Sequence, residues 1–146
     1  MALKLKNIQQ LRNHISEQAN DIESTLLYNL EYLVAELQNH AKKSAEYNDQ
    51  TGNLKSSIGG VVLKDNKPIS YTGFQVVKKG KEGTVIGSDF LTEQIKNASK
   101  GYVLLLVAGM EYATYVENFH NLNVLKKTEL YAAIEMPKIL ANLKLE

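Results

Sequence analysis

Few residues in this chain are equipped for chemistry. Glu117 and His120 form one E-x-x-H unit, and Glu36 and His40 stand four apart, one turn of a helix. A carboxylate-bridged dimetal site needs two E-x-x-H units and further glutamates, and a zinc site needs three or four spaced ligands. His14, the third histidine, completes neither set. There is no cysteine, so thiolate nucleophiles, thiolate metal ligands and disulfides are excluded. No G-x-S-x-G, P-loop or G-x-G-x-x-G occurs, and the stretch from Gly80 to Gly83 is too short to cradle a phosphate. The expectation is a protein without catalytic residues, metal or cofactor; a hydrolase with a metal on Glu117 and His120 stands as the rival.

Lys78, Lys79 and Lys81 cluster where a hairpin tip is expected, which suggests a solvated loop or, more sharply, a phosphate-contacting finger. The eight tyrosines are scattered and form no stacking stripe for single-stranded nucleic acid. Lys and Arg number 17 against 16 Asp and Glu, a formal net charge of +1, so no specific nucleic-acid recognition and no anionic surface is implied. The longest apolar run, Tyr102 to Gly109, is far short of a bilayer span, and the first ten residues lack the apolar core of a signal peptide. A soluble, unexported protein without a membrane partner is expected. Its 146 residues fit a single domain, 1–146.

These residues must be held by something, and the pattern begins at the N-terminus. Leu3 to Lys6 alternate apolar and basic residues, the period of a half-buried strand. Asn7 offers a helix cap. From Ile8 to Ala41 apolar or small residues recur in steps of three and four, averaging about 3.67, the period of a straight helix rather than a coiled coil. A helix from Ile8 to Ala45 would be roughly 55 Å long. Either it breaks near residues 16–21, or it projects and offers its stripe, including Leu26, Leu30, Leu33 and Leu37, as an interface.

Asn48, Asp49, Thr51, Gly52 and Asn53 are turn formers and mark a sharp corner, with Leu54 and Ile58 anchoring the exit to the core. Val61 to Leu63, Ile69 to Val77 and Thr84 to Gly87 read as strands joined by hairpins, with a bulge at Gly73. A short helix capped by Ser88 or Asp89 follows, then Tyr102 to Val107 as the most buried strand. Tyr112, Val116 and Phe119 share helical spacing, and a last helix starts near Thr128 and is interrupted or restarted at Pro137.

Three stretches resemble the small tail-component proteins of long-tailed bacteriophages and prophages, a family associated with tail completion and head-to-tail joining. They are LKLKNIQQLRNHI, AKKSAEYNDQTGNLKSSI and MEYATYVEN. Asp49, Thr51, Gly52, Leu54, Ser57 and Ile58 fall at the offsets of the second motif, and Tyr112, Ala113, Val116 and Glu117 at those of the third. The resemblance implies an α+β fold, a long N-terminal helix packed on a curved antiparallel sheet with short additional helices. It further implies a non-enzymatic subunit of the virion tail or neck, made in the bacterial cytoplasm. Such a subunit would form a homo-oligomeric ring and contact other neck or tail proteins. A non-enzymatic interaction module or assembly chaperone of a bacterial mobile element is the alternative.

Overall fold

A computed structural model describes residues 9–119 and 122–143. Leu3 to Lys6, expected as a strand, and His120 lie outside them. Helix α1 runs over Gln9–Lys43 without a break at residues 16–21. No glycine or proline interrupts this segment, and His40, Lys42 and Lys43 put basic groups at the negative end of its dipole. A four-residue helix, α2 (Asn53–Ser56), turns the chain into β1 (Ile58–Lys64), which pairs with β2 (Lys67–Tyr71). Helix α3 (Lys81–Lys96) leads to β3 (Tyr102–Ala108), followed by α4 (Ala113–Phe119) and α5 (Lys126–Ala141).

The sheet has the order β2-β1-β3, antiparallel throughout, with β1 in the centre. Successive side chains of β1 point to opposite faces. Val62 packs with Leu30 and Val34 of α1, while Val61 and Leu63 pack with Leu91 of α3 and with Val107. The α+β architecture, a long helix against an antiparallel sheet, is therefore that of the protein. A third cluster, Tyr47, Leu54, Ala113 and Val124, sits beneath the corner.

Several expectations are corrected. Thr84 to Gly87 lie inside α3, not in a strand, and Ser88 and Asp89 are helical residues rather than its cap. The reason is close approach: Gly80, Gly83 and Gly87 recur at helical spacing, and Cβ atoms there would lie 2.1 Å from Ser56 Oγ, 2.2 Å from the Asn53 carbonyl oxygen and 2.6 Å from that of Ser57. These glycines let α3 pack on α2 rather than turn a hairpin. Strand β2 ends at Tyr71, and the bulge falls between Val62 and Leu63 instead of at Gly73. Pro137 lies within an uninterrupted α5. The most buried strand is β1, whereas β3 is an edge strand with only Val107 fully buried.

Candidate functional site: a satisfied corner and an open edge

At the corner Gly52 adopts φ +80°, and a Cβ there would lie 1.8 Å from the Val77 carbonyl oxygen, so only glycine fits. Asp49, buried, accepts from the backbone N–H of Lys55 at 2.8 Å and of Leu54 at 3.4 Å. Thr51 Oγ1 accepts from the Asn53 N–H at 3.2 Å. Ser57 Oγ donates to the Leu54 carbonyl at 2.7 Å and accepts from the Gly109 N–H at 3.1 Å. Leu54 and Ile58 are 2% and 0% exposed, as their anchoring role requires. Gln38 of α1 closes the arrangement by donating to the carbonyls of Ile58 and Gly73 at 3.0 and 2.8 Å.

The second motif-bearing segment works in the same way. Ala113 is buried and Val116 packs against the corner cluster, while Tyr112 stays exposed. Glu117 Oε2 accepts from the Val124 N–H at 2.9 Å, and Oε1 accepts from Leu125 at 2.8 Å and Lys126 at 2.6 Å. These are amides at the start of α5, which lack partners within the helix. Asp49 and Glu117 therefore do one job in two places: each carboxylate holds the amides that begin a helix. Between them the Tyr47 hydroxyl is buried without a hydrogen-bond partner among the described residues. Burial pushes its pKa above the usual tyrosine range, and the negative charge of Asp49 adds to the effect.

Among the described residues no group of three His, Asp or Glu could hold a metal ion. His40 stacks on Tyr131, with centroids 4.7 Å apart, and its Nδ1 lies 2.8 Å from Thr128 Oγ1. Glu36 accepts from the Tyr131 hydroxyl at 2.6 Å, which pushes that phenol up to about 12. Both members of the Glu36 and His40 pair thus fasten α1 to α5. Lys78 donates to the Asp49 carbonyl at 2.9 Å, and the three lysines sit at a turn into α3 rather than on a hairpin tip. Leu30, Leu33 and Leu37 are at most 3% exposed and Leu26 packs against the same cluster, so this part of the stripe is core and not free interface.

Sequence reasoning missed the outer side of β3. A groove of about 360 Å³ runs beside this strand, with Phe90 and Gln94 of α3 on one wall and Ala113 and Glu117 of α4 on the other. The signal available was the absence of any charge or proline from Tyr102 to Ala108, which sequence alone assigns equally to a central strand. A larger cleft of about 520 Å³ lies between the end of β2 and α3. Two of the hydroxyls around it, Thr84 and Thr92, donate to carbonyls of their own helix. No match to this chain is found among protein-family models, curated proteins or solved structures.

Proposed function

We propose that this chain is a structural protein of a tailed phage or prophage virion, a ring-forming subunit in tail completion and head-to-tail joining. The observation that carries the reading is the use of the acidic motif residues: Asp49 and Glu117 spend their carboxylates on backbone amides. Held in this way, neither carboxylate is free to meet a substrate. The residues that carry the family resemblance thus build a rigid frame, and the work of the protein is binding. Its partners are further copies of itself and other neck or tail proteins, its location is the virion, and it needs no cofactor. With a formal net charge of +1 it has no electrostatic demand for nucleic acid. No helix among the described residues is long and apolar enough to cross a membrane.

The rival reading, an assembly chaperone, is favoured by the outer face of α5, where Leu130, Ile134 and Leu140 are more than half exposed. The two are separated by deleting the gene from its source phage or prophage and analysing finished particles by mass spectrometry. The virion reading predicts separate heads and tails in the deletion and the protein present in intact wild-type particles. Its absence from particles that nevertheless require it would establish the chaperone.

A further inference from the structure

The outer edge of β3 has unspent hydrogen-bonding capacity. The Gly109 N–H donates to the Ser57 carbonyl and the Asp65 N–H to the Gly101 carbonyl, which fixes the phase of the β1–β3 ladder. In an antiparallel pair alternate residues turn their backbone groups to the same neighbour. Val103, Leu105 and Val107 therefore face β1, and Tyr102, Leu104, Leu106 and Ala108 direct theirs outward, where the described residues supply no backbone partner. Among the described residues Glu117 is the one charged residue lining the groove beside Leu106 and Ala108, and it is acidic.

The chain also carries an alternating sequence pattern outside the described residues. Leu3 to Lys6 alternate Leu and Lys, the composition an apolar edge with an acidic neighbour would take. Even a fully extended chain would carry them no further than the start of their own β3. Glu23 pairs with Lys64, whose Nζ lies over the Tyr102 ring, so α1 passes the beginning of β3 at that point. From Glu23 back to Gln9 the helix continues about 21 Å further out. Leu3, six residues before Gln9, can return at most about 21 Å. That length ends level with Tyr102 and falls short of Leu104 to Ala108.

We infer that residues 3–6 of one copy add to the β3 edge of the next copy, in the groove between α3 and α4. The donor and acceptor surfaces differ, so the contact is head-to-tail and closes into a ring when the rotation between copies allows it. This rests on the ring-forming reading above and supplies its interface.

The chain lacks cysteine, so introduced thiols report unambiguously. Full-length Lys4→Cys and Leu106→Cys proteins are mixed, treated with a short bis-maleimide, and the products identified by mass spectrometry, in solution and in assembled particles. The expected result is a dimer linked from residue 4 of one copy to residue 106 of the other, with its yield reduced at least tenfold when the donor also carries Leu5→Pro. Leu5 lies outside the described residues, and an unchanged melting temperature of the Leu5→Pro protein shows that their fold is intact. A link within one chain in the double variant, a link between copies that Leu5→Pro does not reduce, or a link from Lys67→Cys of β2 in place of Lys4→Cys would each overturn strand exchange. Self-associated protein that yields no 4-to-106 link overturns the exchange and leaves the ring reading standing. Particles in which the copies never cross-link to one another overturn both.

Discussion

The corner at residues 49–58 and the outer edge of β3 treat backbone polar groups in opposite ways. At the corner the amides of Asn53, Leu54 and Lys55 meet the side chains of Thr51 and Asp49, and the Ile58 carbonyl is taken by Gln38. Along β3 every second residue turns an amide and a carbonyl outward, and Leu106 and Ala108 among them line a groove. The other edge of the same sheet sharpens the contrast, because β2 is five residues long, begins Lys67-Pro68 and is bulged against β1. Charge, proline and bulge are devices that discourage edge pairing. Strand β3 has none of them. A fold that blunts one edge and leaves the other apolar and regular leaves the second open to pairing, so corner variants should act on stability and edge variants on the proposed association.

The largest effect is expected from Gly52→Val, which combines a positive φ with a clash against the Val77 carbonyl. It should cost about 3 kcal/mol or more in urea unfolding; a near-normal midpoint would mean that the corner is not the rigid frame. Glu117→Ala leaves three amides at the start of α5 without their acceptor. A loss of about 2 kcal/mol is expected, with Glu117→Gln recovering part of it.

The phenols give a pH signature. Tyr131 is raised to about 12, chiefly by its hydrogen bond to Glu36, and Tyr47 is raised by burial, both from an ordinary value of 10.0. The unfolded chain therefore loses these protons more readily than the folded one. Both contributions are complete below pH 10; that of Tyr131 is lost as pH rises from 10 to about 12, and that of Tyr47 at higher pH still. Tyr131→Phe should flatten part of that decline in a melting-temperature profile, and an unchanged profile would remove Tyr131 from the account.

Lys42 contributes in the opposite sense. Its Nζ is buried without a partner among the described residues, and desolvation pushes its pKa down. Lys42→Met should raise the melting temperature modestly. The smallest change in stability is expected at the edge itself: Gln94→Lys in the groove wall adds a positive charge where a basic segment would dock. Its melting temperature should match the wild type while its self-association weakens; a large drop in stability would merge the two regions and end the contrast.

The sequence by itself determined the helical stripe, because steps of three and four repeated from Ile8 to Ala41 have one geometric solution, but it left a break at residues 16–21 open and the structure decided that α1 runs through them. It determined the place of the corner as well, since turn formers from Asn48 to Asn53 act on their own backbone, while Gln38, Val77 and Lys78 enclose it only in the fold. Tertiary structure decided the rest. Whether Gly80, Gly83 and Gly87 turn a hairpin or face a helix depends on the backbone of α2 lying against them. Whether Tyr102 to Ala108 is a central or an edge strand depends on how many neighbours it finds, and its apolar residues read the same in either case. That Glu117 holds the start of α5 depends on the loop that brings Val124 back to it. Local periodicity is encoded in neighbouring residues, whereas burial, pairing and capping are set by chain segments distant in sequence, and only folding brings those together.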